Sequence, residues 1–439
     1  MTDAARPSGA PGPARELGRG VVGAVVVFAV VLGAVWWSTS TDSTDSGSSD
    51  PPPSAGPPIG ETERDALATD LLHSLNRSWM RRDVSGFVAA AGDSDAARRW
   101  AGQVFDTLDA LGVRWIDLRY VAADSESVAD PFGFTADVEV RWEIAAGPEH
   151  QTYRTVPVLV PLRFSYEDDG LALVGLDSPA DDPVPVWLTG PVGIESAPGG
   201  TCVGVPDSVD LDTCTRLIDV AIKDLTRVVP ADDVAARPVV IMVPDSDNTA
   251  ALLLGQDTDE LGQIAAVTTT LDGSSSNRAP AQVVLNPDVF DDLSRKAAQL
   301  VVSHEVTHAA TGVTVAPIEL WVAEGFADYV ALASDRIPVE RAASQILSYV
   351  RKHEAPAHLP RALQFASDRH GLGRTYESAW LIFRMLGDYY GDDAVVDFYD
   401  EVRTGTPVEA ALVDTVGLDL EGLTTAWQDY LTTLASGNS

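Results

Sequence analysis

The spacing of apolar residues changes several times along this chain, and each change predicts a different kind of element. Residues 20 to 37, GVVGAVVVFAVVLGAVWW, form an unbroken apolar run with no polar face. At 1.5 Å per residue it extends roughly 27 Å, enough to cross a bilayer core, with Trp36 and Trp37 at the interface. Residues 38 to 60 are dominated by Ser, Thr, Asp, Pro and Gly, which cannot bury a core and predict a flexible tether. Leu67, Leu71, Leu72, Leu75 and Trp79 then recur at helical spacing. After them Phe134, Ala136, Val138, Val140, Trp142 and Ile144 alternate with other residues, as do Val156, Val158, Val160, Leu162 and Phe164. These are strands, and Asp168-Asp169-Gly170 turns the chain into another.

From about Thr201 the pattern is mixed. A helix is expected near Val209 to Val228, with strands at Pro238 to Val243, Gln263 to Thr270 and Gln282 to Leu285. Beyond Ser334 the spacing is helical to the end, with Trp380, Leu381, Phe383, Met385 and Leu386 packing one helix and Leu423, Trp427, Tyr430 and Leu431 another. Roughly 380 residues after the tether are too many for one typical core, so two domains are expected, an α+β unit over 61–190 and a second over 201–439.

Charge orients this plan. Arg6, Arg15 and Arg19 precede the apolar run, and Asp42, Asp45 and Asp50 follow it. The positive-inside rule makes 1–19 a cytoplasmic arm, 20–37 a single-pass anchor in the cell membrane and everything after Ser38 extracytoplasmic. A cleaved signal peptide is the competing reading; the length of the run and the lack of a small-x-small cleavage site favour the anchor. Cys202 and Cys214 are the only cysteines, and an even pair outside the membrane predicts one disulfide, with two buried free thiols as the alternative. The net charge is −35, from 65 acidic and 30 basic residues, with no Lys/Arg cluster beyond the N-terminal arm. That argues against nucleic acid and anionic surfaces as partners.

The chemistry concentrates in His304-Glu305-Val306-Thr307-His308 and, downstream, Trp321-Val322-Ala323-Glu324-Gly325-Phe326-Ala327-Asp328. Residues four apart on a helix lie on one face, so His304 and His308 can converge on one metal ion, with Glu305 one step round in a position suited to a general base. Asp291 or Asp292 is expected to cap this helix and Gly312 to end it. A second helix is expected to start at Pro317 and to carry Glu324 as third ligand, with Asp328 accepting a hydrogen bond from the far nitrogen of a ligand histidine. An HExxH string by itself is often an exposed helical patch. Here it lies in an Ala/Val-rich stretch, where unpartnered imidazoles and carboxylates would be costly to bury.

The HEVTH string with the WVAEGFADYV segment resembles the gluzincin metallopeptidases, the superfamily of thermolysin and the zinc aminopeptidases. The resemblance implies a zincin-like fold with a mixed sheet, an HExxH helix and a C-terminal helical part. It also implies Zn²⁺ on His304, His308 and Glu324, Glu305 as catalytic base and a peptide or protein substrate. Fifteen residues separate His308 from Glu324, fewer than in the best-known branches. Tyr376 resembles in order and spacing the family's tyrosine that stabilises the oxyanion; a core tyrosine with a wet hydroxyl is the alternative. His370 could assist, with a surface-loop histidine as the favoured alternative, whereas His73, His150, His353 and His358 have no ligand spacing and are expected to be solvated. The resemblance further implies that an edge strand, Gln263 to Thr270, holds an extended peptide by β-addition. The 61–190 pattern of helices followed by an antiparallel meander resembles the cystatin-like or nuclear-transport-factor-like cone, a spacer or protein-binding module. Two functional expectations follow: a membrane-tethered zinc metallopeptidase, or a catalytically silent protein that keeps the zinc fold as a binding scaffold.

Overall fold

Helix α1 (Glu61–Met80), α2 (Val84–Ala90) and α3 (Asp95–Ala110) open the chain and pack on an antiparallel sheet. The sheet runs β1 (Trp115–Ala123), β2 (Gly133–Ala145), β4 (Val158–Glu167), β5 (Gly170–Leu176), with β3 (Thr152–Arg154) paired to the end of β2. Alternation decides which face is covered. Phe134, Ala136, Val138, Val140 and Trp142 are buried against Leu72, Leu75, Trp79 and Val104, whereas Arg119, Glu139 and Arg141 form ion pairs on the other face. The structure is a computed structural model, which describes residues 59–437 apart from 146–151, 169, 178–181, 232–233, 235–238, 263, 277, 334–336 and 367–370. The expected N-terminal arm and anchor, and all but the last two residues of the tether, lie outside the described residues. Among the described residues no helix is long and apolar enough to cross a membrane.

A second, mixed sheet follows in the order β6 (Gly193–Ala197), β7 (Gly200–Val205), β8 (Val239–Pro244), β10 (Ala281–Leu285), β9 (Ala266–Thr270). β7, β8 and β10 are mutually parallel, and the two outer strands are antiparallel to their neighbours. Both faces are buried, which is why the central strands are Val-rich rather than alternating. Val239, Ile241, Val283 and Leu285 face α4 (Asp212–Val228) and the HEVTH helix. Val203, Met242, Val267 and Val284 face α5 (Asp247–Leu254). Cys202 on β7 and Cys214 on α4 form a disulfide.

The two sheets meet through a buried carboxylate. Asp272, in the turn between β9 and β10, accepts from the Tyr153 hydroxyl at 2.7 Å and the Val156 N–H at 2.9 Å. Leu252 and Leu271 pack against the first sheet's apolar cluster beside it. The architecture is α+β, with helices filling the C-terminal third of the chain.

Candidate metal centre

The HEVTH helix, α6, spans Arg295–Thr311. Its cap is Ser294, whose side chain accepts from the Ala297 N–H at 3.2 Å, rather than Asp291 or Asp292, which precede it in a separate turn. Gly312 ends it at φ 69°, a left-handed conformation that costs glycine least, with its N–H bonded to the His308 carbonyl. Every residue from Val301 to Thr311 is buried, because α4, the helix that follows in the chain and the sheet enclose it.

The second helix, α7, spans Leu320–Ala333 and starts three residues later than Pro317 suggested. The Glu319 carbonyl accepts the first helical bonds, from Val322 and Ala323, and its carboxylate takes the Trp321 indole N–H at 2.8 Å. Gly325 explains how closely α7 approaches α9 (Leu372–Tyr390): a Cβ there would stand 2.6 Å from the Ala379 carbonyl oxygen and 2.7 Å from Phe383.

The structure brings His304, His308, Glu324, Asp328 and Glu305 together, each 3% exposed or less. His304 Nε2 is 3.0 Å from His308 Nε2 and 3.1 Å from Glu324 Oε2, and His308 Nε2 is 3.5 Å from that same oxygen. These three atoms surround a common point and could hold a metal ion. On the far side of the ring, His304 Nδ1 is 2.9 Å from Asp328 Oδ1. With Asp328 as a carboxylate, Nδ1 carries the proton and Nε2 presents its lone pair inward. Glu305 Oε2 accepts from the Thr268 hydroxyl at 2.5 Å. Glu305 Oε1, Glu324 Oε1 and His308 Nδ1 are buried without a hydrogen-bond partner among the described residues, three such atoms gathered in one place.

The electrostatics follow from this crowding of charge. Burial pushes Glu324 up, but the two imidazoles outweigh it and bring the carboxyl down to about 2. Asp328 moves the other way: burial lifts it to about 6, and its bond to His304 offsets only part of that. The difference lies in Glu324 facing both histidines closely. Burial would lower His304, yet its bonds to Asp328 and Glu324 hold it well above its ordinary value. Burial raises Glu305 too, against the pull of both histidines.

Tyr376 lies in the first turns of α9, 3% exposed and edge-on to Phe365 at 5.2 Å. Burial raises its phenol well above the usual value, and the carboxylates of Glu324, Asp328 and Glu305 add to the rise, so the ring belongs to the same electrostatic neighbourhood. His370 and His150 lie outside the described residues; His73, His353 and His358 are exposed. β9 is an edge strand as expected, but it begins at Ala266, all five of its residues are buried, and the turn Val313–Val315 packs against it. Thr268 on β9 escaped the sequence reading. Its only signal is a hydroxyl at an inward position of a buried strand.

No protein-family model matches this chain, and no curated protein matches it either.

Proposed function

We propose that this chain is a membrane-tethered, extracytoplasmic zinc metallopeptidase of the gluzincin type, with the 201–439 part as the catalytic unit. The observation that carries the reading is the pairing of three converging donor atoms with a neighbouring carboxylate whose Oε1 has no hydrogen-bond partner among the described residues. Donors about 2.05 Å from a tetrahedral zinc ion stand roughly 3.3 Å apart, and the spacings of 3.0, 3.1 and 3.5 Å fit that figure. His304, His308 and Glu324 would hold the ion. When bound, zinc supplies a Lewis acid that polarises the scissile carbonyl and makes water acidic.

The chain's own residues do the rest. Glu305 Oε1 takes a proton from the attacking water and delivers it to the leaving amine. Asp328 holds the His304 ring in the tautomer that presents Nε2. The Tyr376 hydroxyl, kept protonated by burial and the surrounding carboxylates, donates to the oxyanion. The unit over 61–190, with its helix-then-meander order, serves as a cystatin-like or nuclear-transport-factor-like module that spaces the site from the membrane or takes a protein partner.

The test is zinc content and peptide hydrolysis of the full-length protein beside two variants. About one zinc per chain is expected, lost in His304→Ala. Glu305→Gln keeps the metal and loses hydrolysis by roughly 10² to 10⁴ fold. A wild type that takes up no zinc on reconstitution, or hydrolysis indifferent to Glu305→Gln, overturns the reading. A second reading, a zinc-bearing scaffold without catalysis, draws on the near-complete burial of the ligand set. Zinc bound with no hydrolysis in the wild type is its signature.

A further inference from the structure

We propose that Thr268 is the positioning residue of the base Glu305: its hydroxyl anchors Oε2 and thereby leaves Oε1 as the oxygen that handles the proton. The inference rests on the peptidase reading for its catalytic part, but the hydrogen bond is independent of it. Thr268 is fully buried, and pairing of β9 with β10 places it opposite Val283, on the sheet face that packs against α6. Its face neighbours on the adjacent strands, Val283 and Ile241, are apolar. A hydroxyl in such a place is costly unless it meets a partner, and the partner here is the Glu305 carboxylate, with the Glu305 carbonyl a longer 3.3 Å away.

Among the described residues, the Thr268 hydroxyl is the sole hydrogen-bond donor to that carboxylate. One held oxygen on a rigid strand stops rotation of the carboxylate head, so the direction of Oε1 is set by the sheet rather than by the helix that carries Glu305. A misplacement of about 1 Å at a reacting group can cost 10²-fold in rate, which gives such an anchor a kinetic consequence.

The experiment uses the full-length protein with Thr268→Val, which keeps the shape and removes the hydroxyl, and Thr268→Ser, which restores it. On the zinc-loaded protein with a peptide substrate, Thr268→Val is expected to lower kcat by 10- to 100-fold with KM and zinc content unchanged, and Thr268→Ser to recover most of the loss. An unchanged kcat, a change confined to KM, or failure of serine to rescue overturns the proposal. A second readout needs no activity. In metal-free protein, the urea midpoints of Thr268→Val, Glu305→Ala and the double variant are compared. Shifts that fail to add show that the hydroxyl holds the carboxylate; additive shifts sink the idea. If the wild type hydrolyses no peptide while the shifts are non-additive, the anchor stands and the peptidase reading falls.

Discussion

Asp328 touches His304 on the side away from the donor cluster, and as a carboxylate it favours the tautomer with the proton on Nδ1. An amide in its place can still accept a hydrogen bond, but it no longer favours that tautomer electrostatically. Asp328→Asn is therefore expected to weaken metal binding by 10- to 100-fold, measured by competition against a chelator of known affinity, with the fold retained. An affinity equal to wild type would mean that packing alone orients the ring. His304, His308, Glu324 and Asp328 were all legible in the sequence, because each pair is spaced four apart and one helix turn converts that spacing into proximity. Thr268 was not legible. Its contact with Glu305 crosses 37 residues and depends on where β9 lies under α6, which no local pattern encodes.

Helix contacts determine whether those residues stay in register with one another. Gly325 follows the proposed ligand Glu324 directly, at the point where α7 touches the backbone of α9. Gly325→Ala adds a methyl against a carbonyl oxygen and the Phe383 ring, so α7 must move away. The expected outcome is a loss of about 1 to 3 kcal/mol in unfolding free energy together with weaker metal binding. A loss of stability with unchanged metal affinity would show that the ligand does not follow the helix.

A second helix junction responds to pH. Glu377 on α9 accepts from the Ile346 N–H at 2.7 Å, at the start of α8 (Ser344–Val350), and burial lifts its carboxyl to about 7 from an ordinary 4.5. The folded state holds the proton more tightly than the unfolded chain, so this contribution is fully present below about pH 4.5 and is lost as pH rises through 7. It amounts to of the order of 3 kcal/mol. Urea midpoints of wild type should fall more between pH 5 and pH 8 than those of Glu377→Gln; parallel curves would remove Glu377 as the cause. Element types were largely readable from periodicity, whereas boundaries moved. Ser294 took the capping role because its backbone is extended immediately before Arg295, and α7 waited for Glu319 because its carbonyl, not Pro317, seats the first turn.

Across the molecule, two apolar clusters follow the change from alternating to mixed pattern that the sequence displays, so the existence of two sheets was legible. Their junction was not: the buried Asp272 that receives Tyr153 and Val156 lies in a turn whose composition reads as solvent-facing. The candidate metal centre is deep in the larger cluster, and an ion held there would tie α6 to α7. At a free metal concentration a thousandfold above Kd, stabilisation of about 4 kcal/mol is expected. Because the ligands are buried, a chelator has to wait for the protein to open. Stripping by excess chelator should take minutes to hours and accelerate in urea below the unfolding midpoint; removal within the mixing time would contradict enclosure of the site.

The continuous burial of Val301 to Thr311 also bears on which ion the candidate site would carry. Affinity alone ranks copper above zinc for nitrogen and oxygen donors, so selectivity in a cell depends on availability as well as strength. On the metal reading, a helix buried this continuously would take up its ion as the chain wraps around it and exchange it slowly afterwards. The choice of ion would then be made during biosynthesis, by the ion pool of the compartment in which the chain folds, and carried forward as a record of that place.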